Sequence, residues 1–231
     1  MGDRKITWRA LPARVPRWAQ RVGCWWWPGT TWSEADRDAV FLTFDDGPFP
    51  EVTPWVMDAL ERRNAKATFF MVGAQALRHP ELARSVVARG HGTGNHTMNH
   101  EHGWHTSLET YLEAVTACDE ALDSLSVPST LFRPPHGKLT RSQTQALAPS
   151  KNVVMWDVLA GDFVEHADPQ DVLRRLKAKT KGGSIVVLHD SPKAWPTVKE
   201  VLPEYLDWLS TQGLQPKALP LNPWRSPLGA T

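Results

Sequence analysis

The chain has 231 residues, with 26 Lys and Arg balancing 25 Asp and Glu for a formal net charge of +1. That length suits one large α/β domain with a sizeable core, and the even charge gives no nucleic-acid footprint, which would need a strongly basic face. The apolar runs are strand-length, too short to span a bilayer, and the two cysteines, Cys24 and Cys118, make no disulfide framework and point to a reducing compartment.

Residues 1–31 are basic and rich in tryptophan, holding Trp8, Trp18 and Trp25 to Trp27 among the 12 tryptophans of the chain. Pro12, Pro16 and Pro28 break this stretch into short pieces. It reads either as an extension packed as a lid on the domain or as a surface patch for anionic membrane or sugar. The lid is preferred, because three prolines and scattered arginines give no clean amphipathic helix. Arg14, Arg17 and Arg21 interrupt any signal-type apolar segment, so a cytoplasmic protein is expected.

Residues 40–48, Val-Phe-Leu-Thr-Phe-Asp-Asp-Gly-Pro, form the first strong element. A short apolar β-prone run stopped by turn residues predicts a strand buried on both faces. Asp45 and Asp46 then stand at its carboxyl end, where α/β folds hold their chemistry. Two adjacent acids repel each other unless something compensates. Two readings are open here: a metal bound by one acid with the other left as a base, or a turn whose acids cap the next helix.

Further on, residues 51–64 have helical spacing, with Thr53 as cap and Pro54 in the first turn. A strand is predicted at 67–72, a helix at 80–89, a short strand at 91–95 and a long helix at 107–125. A brief strand at 131–132 leads into Arg-Pro-Pro-His-Gly, followed by a helix at 140–147 and a strand at 152–156. A helix at 168–179, a strong strand at 184–188, a helix at 196–209 and a weak strand at 214–219 complete the chain. The alternation argues for a parallel sheet with right-handed crossovers. Asp45, Asp46, His96, Arg133, Asp162 and His189 all fall just past an apolar run, and in a (β/α) barrel such points converge on one face.

His96 and His100 are spaced i, i+4, so a helical turn would put both rings on one side and let them chelate one ion. Two imidazoles and one carboxylate leave open positions, the mark of a catalytic metal site, with Asp46 or Asp45 as the third ligand. Arg133 behind its strand can hold a carboxylate ionised and aimed. Asp162 is the acid best placed to reach a later histidine, and Asp157 is expected to bond backbone. His189, paired with an acid, would have a raised pKa and donate a proton near neutrality.

Together these residues resemble the polysaccharide deacetylases of the NodB-homology class, carbohydrate esterase family 4. The resemblance spans residues 40 to 219 and all five ordered motifs of that family. Thr-Phe-Asp-Asp-Gly at 43–47 implies Asp45 as catalytic base and Asp46 as metal ligand, and His-Thr-x-x-His at 96–100 implies His96 and His100 as the other ligands. Arg-Pro-Pro-x-Gly at 133–137 implies that Arg133 orients the base and that backbone beside His136 binds the oxyanion. Asp162-Phe163 corresponds to an Asp-Trp pair whose Asp tunes the acid, and Leu188-His189-Asp190 makes His189 that acid. His136 and Phe163 depart from the family's usual aromatic and Trp, Val186 replaces a Leu, and Leu159 occupies a frequent Asp position. Pro134, His136, Phe163 and Leu188 are the substrate-lining residues the resemblance implies.

The resemblance therefore implies a single-domain distorted (β/α) barrel of about seven strands, residues 32–231, behind the N-terminal extension. It also implies a divalent-metal hydrolase removing an N-acyl, most simply N-acetyl, group from an amino sugar of a chitin- or peptidoglycan-type glycan. Zn²⁺ is the expected ion, with Co²⁺, Mn²⁺ or Ni²⁺ as alternatives. Two other readings are a deformylase or deacylase of a lipid-linked amino sugar at the inner membrane face, and a catalytically silent carbohydrate-binding barrel. Intact Asp45, Asp46, His96, His100 and His189 argue against the silent barrel.

Overall fold

The uninterrupted apolar run after Asp38 becomes the strand from which the sheet is built. The structure, a computed structural model, describes residues 29–221. In chain order the elements are β1 (Thr30–Thr31), β2 (Ala39–Asp45), α1 (Thr53–Glu61), β3 (Thr68–Met71), α2 (Gly73–Arg78), α3 (Pro80–Ala88), β4 (Gly92–Asn95) and α4 (Leu108–Ser124). They continue with β5 (Leu131–Phe132), α5 (Arg141–Leu147), β6 (Asn152–Val154), β7 (Val158–Leu159), α6 (Pro169–Lys179), β8 (Ile185–His189), α7 (Trp195–Thr211) and β9 (Gln215–Pro216). The sheet order is β1-β6-β5-β4-β3-β2-β8-β7, with β9 pairing the first residues of β2. All these pairings are parallel. Among the described residues no pairing joins β7 back to β1, so the sheet is a curled, open (β/α) barrel.

The alternation of β2 decides what the barrel holds. Val40, Leu42 and Phe44 face the helices and join the larger core cluster, which also contains Leu60, Leu122, Val186, Leu188 and Leu202. Ala39 and Phe41 face inward, against Phe70, Leu131, Val154, Ile185 and Leu219. The same period of two carries Thr43 and Asp45 into the barrel, His189 inward on β8 after Ile185, and Arg133 inward after Leu131. The register sets Asp45 directly beside His189. Sequence parity thus aims the polar strand ends at one point.

Most predicted helices form, and three of them carry side-chain caps at their starts. Ser107 caps α4, Thr140 and Gln143 make a reciprocal capping box on α5, and Asp168 caps α6 ahead of Pro169. Thr53 is a correction: it lies inside α1, which has no side-chain cap. Its hydroxyl instead accepts the Phe49 N–H and donates to Asp190. The strand expected at 152–156 stops at Val154, and the chain re-enters the sheet as β7 on the far edge, beside β8. Helix α2 was not anticipated, since Val72 before it provides no side-chain cap.

Thr30–Thr31 pairs with β6, so the sheet begins before the boundary expected after residue 31. The Trp-rich stretch read as a lid, up to residue 28, lies outside the described residues. No helix among the described residues is long and apolar enough to cross a membrane.

Leu42 is fully buried, whereas Leu77 is 46% exposed. Leu42→Ala is therefore expected to destabilise the fold by about 2–5 kcal/mol through the cavity it leaves. Leu77→Ala should stay within about 0.5 kcal/mol. Urea denaturation of the two variants measures the contrast.

Candidate active site

Asp45 ends β2 and points into the barrel, where it would be costly to leave ionised without a partner. Arg133 is that partner. Its Nη1 donates to Asp45 Oδ1 at 2.8 Å and to Thr43 Oγ1 at 2.5 Å. The Nε and Nη2 groups donate to the Val154 and Met155 carbonyls, and the guanidinium lies 4.2 Å from the Phe70 ring centre. Burial pulls the pKa of this fully enclosed arginine down, opposed by the charge and hydrogen bond of Asp45. All three guanidinium nitrogens are engaged, so Arg133 is held in place and Asp45 keeps one oxygen fixed.

Asp46, the next residue, takes φ 80° and turns to the other side. There it meets His96 and His100, whose Nε2 atoms lie 3.7 and 3.2 Å from its Oδ1. The i, i+4 spacing works, but not through a helix. Thr97 and His100 both adopt left-handed φ, 65° and 63°, and a loop folds the two rings together with centroids 5.0 Å apart. Asn95 holds this loop by accepting the Thr97 N–H at 2.8 Å, while its Nδ2 donates to Val115 O and Asp119. The N–H groups of Gly73 and Ala74, at the start of α2, donate to the Thr97 and Met98 carbonyls. The unforeseen helix α2 is thus part of the site's scaffold.

The donors fit a small divalent cation. One atom from each of Asp46, His96 and His100 lies within 4.8 Å of the others, the one such group among the described residues. Tetrahedral donors held about 2.0–2.1 Å from zinc stand roughly 3.3 Å apart, close to the separations seen here. His96 Nδ1 lies 2.7 Å from Arg133 O. A carbonyl only accepts, so Nδ1 carries the proton and Nε2 keeps its lone pair for a metal. Burial lowers the His96 pKa to about 4, which keeps the ring neutral as a ligand must be. Burial raises the Asp46 pKa, but the hydrogen bond to His100 and the charge of His189 overcome it and hold the carboxyl well below its usual range.

His189 stands across from Asp45. Its Nδ1 donates to Asp162 Oδ1 at 2.9 Å and its backbone N–H to Asp162 Oδ2 at 2.7 Å. Burial alone would lower the ring's pKa. Asp162, with Asp46 and Asp45 behind it, outweighs burial and raises it to about 9. Asp157 bonds the Ile185 N–H and Ser184 instead, as expected.

The four residues expected to line a substrate divide evenly. Phe163 packs against His189 at 4.9 Å and stays partly open. His136 is exposed, 4.6 Å from the His100 ring. Leu188 is fully buried in the helix-facing core, because the alternation that turns His189 inward turns Leu188 outward. Pro134 is buried too, and serves to bend the chain after Arg133. In that bend Gly137 takes φ 64°, and a Cβ there would lie 2.5 Å from the Trp156 ring. The Gly137 and Lys138 N–H groups donate to Pro134 and Pro135 carbonyls, which leaves the His136 N–H without a protein acceptor among the described residues.

With this geometry in hand, the comparisons with known proteins agree. A sequence profile described as polysaccharide deacetylase matches residues 33–152. The chain belongs to the polysaccharide deacetylase family. It is 32% identical over 193 residues to a peptidoglycan-N-acetylglucosamine deacetylase of Bacillus cereus, covering 79% of this chain and 87% of that one. It is 37% identical over 161 residues to a chitooligosaccharide deacetylase of Sinorhizobium fredii, covering 66% and 72%. Among solved structures, the Bc1960 peptidoglycan N-acetylglucosamine deacetylase in complex with 4-naphthalen-1-yl-N-oxidanyl-benzamide superposes with a TM-score of 0.79 at 27% identity, over 83% of this chain and 91% of that one. The deacetylase is a hydrolase of the NodB-homology, carbohydrate esterase 4 class.

One residue of the deacetylase's site was not singled out from sequence. Asp190, 1% exposed, accepts from Gly47 N at 3.1 Å and from Thr53 Oγ1 at 2.5 Å. It clamps the turn that carries Asp45 and Asp46, and a Cβ on Gly47 would collide with its carboxyl at 2.1 Å. Burial raises its pKa to about 7, against the Thr53 hydrogen bond. The signal was the acid directly after His189, whose parity opposes that of His189.

Asp162 stabilises the imidazolium of His189, so Asp162→Asn lowers the ring's pKa and the ring loses its proton at lower pH. If the protonated ring is the active form, the high-pH limb of kcat moves downward in this variant. A pH–rate profile of both proteins is the check.

Proposed function

We propose that this deacetylase hydrolyses the N-acetyl group of amino sugars in a peptidoglycan- or chitin-type glycan, with Zn²⁺ held by Asp46, His96 and His100. The observation that carries the reading is the pairing in register of an Arg-held carboxylate, Asp45, with an Asp-held imidazole, His189, next to the donor Asp46. An amide needs a base on the attacking water and an acid on the departing nitrogen, and these two groups divide that work.

A divalent cation held by Asp46, His96 and His100 would supply Lewis-acid polarisation of the N-acyl carbonyl and acidify water at the site. Asp45 takes the proton from the attacking water. Arg133 occupies the other side of that carboxylate and keeps it aimed. The free His136 N–H donates to the oxyanion as charge develops on the former carbonyl oxygen. His189 gives its Nε2 proton to the leaving nitrogen while Asp162 retains the Nδ1 proton in place. Acetate and a free amino sugar leave. Phe163 walls the acyl side beside His189.

Acetate release from zinc-loaded protein on N-acetylated glycans tests the reading directly. Asp45→Asn should retain metal and lose roughly 10²–10⁴ in rate as the base disappears. Asp46→Asn should lose the metal itself, read by elemental analysis. Metal loss from the first variant with retention in the second would reverse the two roles.

A further inference from the structure

Beyond the metal donors, the loop continues as Glu101 to Thr106 and presents Trp104 at the surface. Trp104 is 53% exposed. A single exposed aromatic residue is ordinary; this one is built in. Its Nε1–H donates to Leu139 O at 3.0 Å, and Gln143 Nε2 donates to the carbonyls of Gly103 and Thr106 at 2.8 and 3.2 Å. Gly103 is pressed so closely on the next segment that a Cβ would sit 2.1 Å from Lys138 O. The indole is therefore held in place by two elements rather than swinging free.

Two further observations give this ring a direction and a charge. It adjoins the metal donors through a run of rings: His102 at 6.3 Å from Trp104, His136 at 5.1 Å from His102, and His100 at 4.6 Å from His136. Lys138, from the turn after Arg133, places its Nζ 3.9 Å from the Trp104 ring centre. Among the described residues no carboxylate pairs with Lys138, and its charged end lies over the ring. A carboxylate from a ligand would add to that without displacing a protein partner.

A pyranose has an apolar C–H face that packs on an indole, and a glycan following this run of rings away from the metal donors would bring a neighbouring sugar to Trp104. We propose that Trp104 and Lys138 form a subsite for that neighbouring sugar and select glycans in which it carries a carboxylate, such as a lactyl ether. The proposal rests on the glycan-deacetylase reading above and narrows its substrate to an acidic glycan over a neutral chito-oligosaccharide.

The experiment compares acetate release by the zinc-loaded full chain from a neutral N-acetylglucosamine tetramer and from a tetramer alternating with lactyl-bearing, peptide-free sugars. The wild type should show the lower KM on the acidic glycan, a preference that fades at high salt. Lys138→Met keeps the apolar stem on the ring; it should raise KM for the acidic glycan about fivefold, leave the neutral one unchanged and leave kcat intact. Trp104→Leu should raise KM for both, up to about tenfold, and a melting curve matching wild type shows that the turn has not simply unfolded. An unchanged ratio of the two KM values in Lys138→Met, or a loss confined to kcat, overturns the proposal. Should the wild type release acetate from neither glycan, the deacetylase reading fails first. Calorimetric binding of the two tetramers to wild type and Lys138→Met then decides the subsite, with equal affinities counting against it.

Discussion

The structure turns on one buried ion pair. Arg133 follows β5 and Asp45 ends β2, with β4 and β3 between them in the sheet. In a flat sheet three strand spacings would hold these positions roughly 14 Å apart, beyond any arginine–carboxylate contact. Here Nη1 and Oδ1 are 2.8 Å apart. The sheet must curl for the pair to form, and the curl turns a row of strand ends into a cup. The pair is not thereby a net source of stability, since desolvating two charges offsets most of their attraction. Breaking it is another matter: one stranded charge in that interior costs about 3–5 kcal/mol.

Around this pair the molecule keeps four carboxylates within a few residues' reach by giving each its own compensation. Asp45 has the guanidinium, Asp46 the two imidazoles, Asp162 the ring and backbone N–H of His189. Asp190 has only a hydroxyl and an amide, and burial raises its pKa to about 7. The arrangement separates duties that adjacent acids would otherwise blur. Asp45 and Asp46 are neighbours in the chain, yet the left-handed Asp46 sends their carboxyls to different partners. Asp190 then locks that turn from behind, through Gly47 and the first turn of α1.

The convergence of Asp45, Asp46, His96, Arg133, Asp162 and His189 was legible because each follows an apolar run, and parallel strands deliver their carboxyl ends to one side. The helices at residues 107–125 and 168–179 were legible from their apolar spacing, which is also local; their caps at Ser107 and Asp168 come from the structure. Thr53 misled because a cap is a local signal, and Asp190, distant in sequence, competes for its hydroxyl. The strand at 152–156 misled because the apolar run does not show that the chain leaves one edge of the sheet after Val154 and rejoins it at the other. Leu188, which the resemblance implies as substrate-lining, lies in the helix-facing core because strand parity turns it away from the side that His189 faces.

What the sequence determined by itself was the set of chemical groups and their order along parallel strands, because strand periodicity and turn residues are properties of neighbours in the chain. It determined the family for the same reason, through short motifs whose internal spacing is local. Only the tertiary structure decided which groups meet. The His96–His100 loop closes through two left-handed residues held by Asn95 and α2, not through a helix. Asp190 reaches the β2 turn, and Trp104 comes to stand under Lys138. Apart from the local Asn95–Thr97 bond, these contacts join segments remote in sequence, and the curl required by the Arg133–Asp45 pair sets the distances among the strand ends that carry the site.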